Sequence, residues 1–432
     1  MKRFYIKTYG CQMNLYDSEK IMALLAKNGY DIVPRPEDAD IIAVNTCSVR
    51  KHAEDRALSF LSSYKHLKKE GKILCLLGCT AGLYKDAIYK KYGFIDVVCN
   101  PNNYNKLPEV LPLSSQKKIC LIEEDGSPFI SEQIVPHKQA SSFVTVTKGC
   151  ENFCSYCVVP FTRGKLISKK PEDICREIKN LIEKGIREII LLGQNVNEYG
   201  KDTGDDFPSL LEKINNIDGL LRFGFLTSHP KDIADTLILA FQSLPKLYKH
   251  LHLPLQSGSD RILQLMNRRY SLAQYMKIID TARKTAPNIT ITSDIITGFP
   301  SETKDDFNKT VQTIKNICFD DLFVFKYSAR PLTKSSAMED DVPEEEKRER
   351  HKTILDFQEE IALKRNQRFI GEVDNVFVIK PAHKKRGCFL GKSSTNKTVM
   401  FTSSHSRPGT LERVTITSAD RRYLFGDSSS GN

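Results

Sequence analysis

Two successive trains of short apolar runs alternating with amphipathic ones constrain this chain most. In the first, "RFYIKTY" (3–9), "DIIAVN" (40–45), "KILCLLG" (72–78) and "FIDVVC" (94–99) read as strands. Helical patterns separate them, among them "DSEKIMALLAKNG" (17–29), with Asp17 or Ser18 as a cap and Gly29 as a stop. Such alternation predicts a parallel sheet covered by helices, a flavodoxin- or Rossmann-like layer. The second train has six strand candidates: 143–147, 187–192, 222–227, 249–255, 289–296 and 321–327. Six βα units fit a partial parallel barrel, with a flat doubly wound sheet as the rival. A helical stretch (340–369) and four short β-type runs with Gly/Ser/Asn punctuation close the chain. The expected architecture is therefore multidomain α/β: residues 1–115 an N-terminal α/β domain, 116–139 a connection, 140–368 the barrel, and 369–432 a small all-β barrel. Within the connection, "EEDGSP" reads as a loop.

The polar positions that matter sit at strand ends. In parallel α/β folds the C-terminal ends of the strands line the ligand crevice. Cys150, Cys154 and Cys157 follow the first strand of the second train directly, in "GCENFCSYCVVP". Three thiolates can hold three irons of a 4Fe–4S cluster and leave the fourth open. A zinc site that borrows a distant histidine has similar local spacing. Cys11, Cys47 and Cys79 each lie just beyond a strand of the first train, so they can converge in space. The same rule nominates Gln194, Asn195, Ser228, His229, Gln256, Ser257, Asp294, Lys326 and Arg330 around the barrel mouth. Cys75, Cys99, Cys175 and Cys318 fall inside strand or helix patterns and read as structural.

Twelve cysteines without a secretory leader point to metal or redox chemistry, not a disulfide scaffold. No run of 18 apolar residues is present, so neither a membrane span nor a membrane partner is expected, and a cytoplasmic location is. A net charge of +11 permits a polyanionic partner. Residues 370–427 carry ten basic side chains, including Lys384, Lys385 and Arg386, against five acidic ones.

At this point the chain resembles the radical S-adenosylmethionine (SAM) methylthiotransferase family along nearly its whole length. "YGCQMN", "NTCSVR" and "GC" (78–79) resemble its N-terminal domain, and "KGCENFCSYCVVPFTRG" its radical SAM core. "GQNVNEYG", "TSHP", "LHLPLQSGSDRIL" and "DIITGFPSET" are further matching stretches, and the C-terminal segment resembles a TRAM domain, a small RNA-binding barrel. The resemblance implies two 4Fe–4S clusters. One, on Cys150, Cys154 and Cys157, would offer its open iron to SAM and generate the radical. The other, on Cys11, Cys47 and Cys79, would hold the sulfur to be attached. Gln194, Asn195, Ser228, Gln256 and Asp294 would bind SAM or substrate. "VVPFTRG" and "GQNVNEYG" favour the branch that adds a methylthio group to C2 of N6-(dimethylallyl)adenosine next to the anticodon of tRNA. The branches acting on a ribosomal-protein aspartate or on threonylcarbamoyladenosine are the enzymatic alternatives, and a zinc-stabilised RNA-binding protein the non-enzymatic one. An electron donor of flavodoxin or ferredoxin type and a sulfur source are implied partners. Leu332, Lys334 and Gly82 depart from the family's usual residues.

Overall fold

The computed structural model describes residues 2–49, 51–123, 129–132, 134, 140–382 and 387–428. The loop expected at "EEDGSP" and the basic triplet Lys384, Lys385 and Arg386 lie largely or wholly outside these residues.

The N-terminal sheet is built from β1 (Arg3–Tyr9), β2 (Asp31–Ile32), β3 (Ile41–Thr46), β4 (Ile73–Gly78), β5 (Val97–Cys99) and β6 (Ile119–Leu121). All pairings are parallel, in the order β2-β1-β3-β4-β5-β6. Every residue of β3 and β4 is buried, as expected of strands covered on both faces. One face packs on α1 (Gln12–Lys27) through Ile21, Leu24 and Leu25, the other on α2 (Lys51–Ser63) through Ala57, Leu58 and Leu61. The strand order reverses between β1 and β3, and the crevice at such a switch point is where open α/β sheets bind ligands.

Two details differ from the sequence reading. Helix α1 starts at Gln12, not near Asp17, with Cys11 as its N-cap and Asn14 reaching back to the cap backbone. Strand β6 lies inside the stretch 116–139 that reads as a connection. Its three residues are too few for an alternation to show, and it is recognisable only by pairing with β5.

The barrel strands are β7 (Ser141–Thr145), β8 (Glu188–Leu192), β9 (Arg222–Phe225), β10 (His250–His252), β11 (Thr290–Thr297) and β12 (Asp321–Lys326). They form two parallel three-stranded sheets, β9-β8-β7 and β10-β11-β12, joined by a single bridge between Phe223 and Leu247. The six strands thus run in sequence order round an open, partial barrel whose apolar filling includes Val144, Ile189, Phe223, Leu251 and Ile291.

A 24-residue helix, Glu344–Gln367, leads to the closed C-terminal barrel of β13 (Val373–Pro381), β14 (Cys388–Lys392), β15 (Thr398–Thr402), β16 (Leu411–Ala419) and β17 (Leu424–Ser428). This barrel is seated under the strand starts of the partial barrel. Arg222, the first residue of β9, donates to the carbonyls of Lys392 (2.9 Å) and Ser393 (2.8 Å) and to Asn396 Oδ1 (3.0 Å). Lys397 reaches Asp320, the residue before β12, at 3.3 Å.

Candidate active site

The compact triad sits on a loop folded back over the end of β7. Gly149 has φ +79°, and a Cβ there would lie 1.8 Å from the Lys165 carbonyl oxygen, so only glycine fits. The Gly149 N–H donates to Gln194 Oε1 at 2.6 Å, the Cys150 N–H to the Gly164 carbonyl at 3.1 Å, and the Cys157 N–H to the Cys154 carbonyl at 2.9 Å. Asn267 Nδ2 ties down the carbonyl of Phe153 at 2.9 Å. Burial pushes the Cys150 thiol up to about 11 and, reinforced by the nearby Cys154, the Cys157 thiol up to about 12. Both are therefore protonated near neutrality until a cation displaces the proton. Arg268 Nη1 lies 3.5 Å from Cys154 Sγ, and His229 Nε2 3.9 Å from it. Burial and then Arg268 depress the His229 imidazole to about 2, so it stays neutral, while its Nδ1 accepts the Lys231 N–H.

The scattered triad converges at the switch-point crevice. The Cys47 N–H donates to the Tyr9 carbonyl at 3.0 Å, which draws the end of β3 against the end of β1. A Cβ on Gly10 would stand 2.9 Å from Cys47 Cβ. Gly78, at φ +95°, lets β4 turn directly into a short helix (Cys79–Tyr84) that begins with the third cysteine. The neighbouring Cys47, and after it Arg163, hold the Cys11 thiol low against its burial, whereas Cys11 and burial together raise Cys47. Beneath them Asn45 bonds Asn14 and Ser18, each at 3.0 Å, and fixes the crevice floor.

Beside Cys157, between the barrel mouth and the N-terminal domain, lies a cavity of about 450 Å³. Cys157, Gln256, Asp294, Lys326 and Arg330 line it from the barrel, and Val49, Lys51 and His52 from the N-terminal domain. The Val49 N–H is itself bonded to Cys47 Sγ at 3.3 Å. The Arg330 guanidinium closes one edge by donating to the Val49 carbonyl (3.1 Å) and pairing with buried Glu54 (3.6 Å). Of the nominated mouth residues, Gln194 holds the cysteine loop, Asn195 donates to Asp232 at 2.8 Å, and Ser228 is buried away from the cavity lining. Lys51, His52, Tyr156 and Phe325 also line the cavity; Tyr156 and Phe325 stand next to nominated strand-end residues, whereas Lys51 and His52 begin a helix. Lys51 and His52 could be found only by seeing that the N-terminal domain forms the second wall.

The donor set fits the groups that the resemblance implies. Asn152 Oδ1, Ser155 Oγ, Asn195 Oδ1, Ser228 Oγ and Gln256 Oε1 are buried without a hydrogen-bond partner among the described residues. Buried polar atoms of this kind are costly unless a ligand completes them, and SAM is rich in complementary groups. Among the described residues no three Cys, His, Asp or Glu side chains stand close enough to clasp one metal ion. A 4Fe–4S cluster imposes a looser condition, because each thiolate binds a different iron corner.

Residues 3–100 match the family described as "Uncharacterized protein family UPF0004", and residues 144–314 match the radical SAM superfamily. A curated protein of Thermoanaerobacter sp. (strain X514), named tRNA-2-methylthio-N(6)-dimethylallyladenosine synthase, is 42% identical over 98% of this chain and 92% of its own. A protein of the same name from Syntrophotalea carbinolica is 38% identical over 99% of this chain and all of its own. Among solved structures, a radical S-adenosylmethionine methyltransferase from Kitasatospora setae with cobalamin and a 4Fe–4S cluster bound aligns at TM-score 0.58. It covers 78% of this chain and 77% of its own at 12% identity, which is a likeness of fold alone.

Proposed function

We infer the activity from kinship: the chain belongs to the family of tRNA-2-methylthio-N(6)-dimethylallyladenosine synthases and contains a radical SAM domain. It is a radical SAM transferase that acts on tRNA, adding a methylthio group to C2 of N6-(dimethylallyl)adenosine next to the anticodon. The relatives' names favour this reading over modification of a ribosomal protein or of threonylcarbamoyladenosine. SAM and an iron–sulfur cluster are its cofactors.

The finer assignment is ours. Cys150, Cys154 and Cys157 would hold the cluster that binds SAM, and Cys11, Cys47 and Cys79 a second one that carries sulfur. Bound there, the cofactors supply one-electron cleavage of SAM, hydrogen abstraction from the ring carbon, and the sulfur and methyl groups. The observation that carries the reading is the shared cavity, which reaches from Cys157 to the residue bonded to Cys47. Tyr156 and Phe325 give it aromatic faces for a purine ring, Gln256 and Asp294 polar groups to orient it, and Lys51 and Arg330 positive charge facing an RNA backbone. Gln194 acts indirectly, by fixing Gly149 and so the position of Cys150. Asn195 and Ser228 supply buried oxygen atoms for SAM. An electron donor of flavodoxin or ferredoxin type and a sulfur source complete the partners. Among the described residues no helix is long and apolar enough to cross a membrane. The cytoplasmic location is part of our reading and rests on the tRNA substrate of the curated relatives.

Two measurements test this. Nucleosides of tRNA from a deletion strain, analysed by mass spectrometry, should lack methylthiolated adenosine and regain it on complementation. An unchanged nucleoside profile would remove the assignment. Anaerobically reconstituted protein should carry about eight irons per chain, four for each cluster. Zinc without iron would sink the radical chemistry.

A further inference from the structure

The six residues Val158–Arg163 do more than follow the compact triad. They cross to the other one. Arg163, the last residue of the short helix Val159–Arg163, is 3% exposed. Its Nε donates to Cys79 Sγ at 3.3 Å and its Nη2 to Asp17 Oδ2 at 2.8 Å. Asp17 is also buried, with Lys148 Nζ 3.3 Å from its other oxygen. Nη1 of Arg163 has no hydrogen-bond partner among the described residues. The crossing is held tightly: a Cβ on Gly82 would lie 3.3 Å from the Thr162 carbonyl oxygen, and the next residue, Gly164, accepts the Cys150 N–H.

The charges do not balance within the N-terminal domain alone. The charge of three cluster thiolates is largely offset by the irons they bind; Asp17 is not offset in that way, and the cations set against it, Arg163 and Lys148, both belong to the barrel segment. This buried guanidinium spends one N–H on Cys79 and one on Asp17, and both N–H groups of Nη1 stay unspent, ready to receive an anion.

We propose that Arg163 is a positioning residue for sulfur, its Nη1 side holding an anionic sulfur ligand, of hydrosulfide or persulfide class, at the Cys11–Cys47–Cys79 site. This rests on the assignment of a second cluster to that triad. The radical SAM half of the chain thereby controls the sulfur that the other half carries. Loss of the donor removes a charge-assisted hydrogen bond from the ligand, and also shifts the cluster's potential downward, since hydrogen bonds to sulfur set that potential.

The test uses the full chain with Cys150, Cys154 and Cys157 replaced by Ala, so that a single cluster remains. Sodium sulfide is titrated against the electron paramagnetic resonance spectrum of the reduced cluster, in that background and with Arg163→Lys or Arg163→Gln added. Arg163→Lys keeps a buried cation opposite Asp17 and should fold like its parent, yet need about tenfold more sulfide for half the spectral change. Arg163→Gln should need still more and show a lower midpoint potential. Variants that hold iron and respond to sulfide like the parent would overturn the role of Arg163 alone. A background protein that folds but holds no iron would overturn the second cluster, and the proposal with it.

Discussion

At the scale of the residue, the placement of the cysteines at strand ends was legible because each follows a clear apolar run, and strand ends are where a parallel sheet presents its side chains. Arg163 was not. Its partners, Cys79 and Asp17, lie 84 and 146 residues away in sequence, and only the packing of two short helices brings them within reach. Gln194 shows the converse, a strand-end amide whose oxygen goes to the Gly149 backbone. Two predictions belong here. Cys154→Ala should abolish SAM cleavage, whereas Cys47→Ala should leave cleavage intact and stop sulfur insertion, measured as 5′-deoxyadenosine and methylthiolated product in one assay. Loss of cleavage in folded Cys47→Ala protein would contradict that division of labour. In metal-free protein, alkylation should reach Cys11 first, since its thiol is held low beside Cys47. Cys157, raised to about 12, should react slowly throughout the neutral range. Peptide mapping after brief iodoacetamide treatment reads both rates.

At the scale of the element, what the sequence declared best were the strands covered on both faces. β3 and β4 carry short apolar runs, Ile41–Val44 and Ile73–Leu77, too brief for a helix of ordinary length. Elements defined by a partner were harder. β6 is three residues long, and α1 owes its early start to a cysteine cap that no propensity scale favours. The loop after β12 follows neither period, and its Leu332 adopts φ +70° in full view of solvent. The cysteine loop depends on one backbone position. Gly149→Ala puts a Cβ against the Lys165 carbonyl in a left-handed conformation, a strain of roughly 2–4 kcal/mol. The variant should keep most of its far-ultraviolet circular dichroism but reconstitute with about four irons instead of eight. Full iron loading would show that the loop has another route to the same geometry.

At the scale of the whole molecule, the two triads are held in register by buried charge. Lys20 of α1 lies 2.8 Å from Glu177 on the barrel helix Pro171–Glu183, and Tyr16 donates to the same carboxylate at 3.0 Å, with Lys169 as a third partner. Burial opposes ionisation of Glu177, but Lys169 and Lys20 prevail and hold its carboxyl below the ordinary value. A carboxyl lowered on folding contributes stability above its unfolded pKa of about 4.3, and that contribution is lost as pH falls through the folded value. Acid should therefore loosen this interface below roughly pH 4. Glu177→Gln should flatten that part of the stability–pH curve and cost about 3–5 kcal/mol at neutral pH by stranding two ammonium groups. Denaturant melts of both proteins from pH 3 to pH 7 decide it. Such cross-domain ion pairs were invisible in the sequence, where Lys20 and Glu177 sit on unremarkable helices far apart in the chain.

The seating of the C-terminal barrel builds a fixed distance into the molecule. It grips the strand starts through Arg222 and Asp320, while the cysteines lie at the strand finishes. An eight-residue strand such as β11 sets the distance between these ends at about 26 Å. An RNA that touches both ends must run the height of that wall. Stem-loops of increasing stem length should gain affinity abruptly once they span it. Removal of residues 369–432 should erase the step and leave the short stem-loops unaffected.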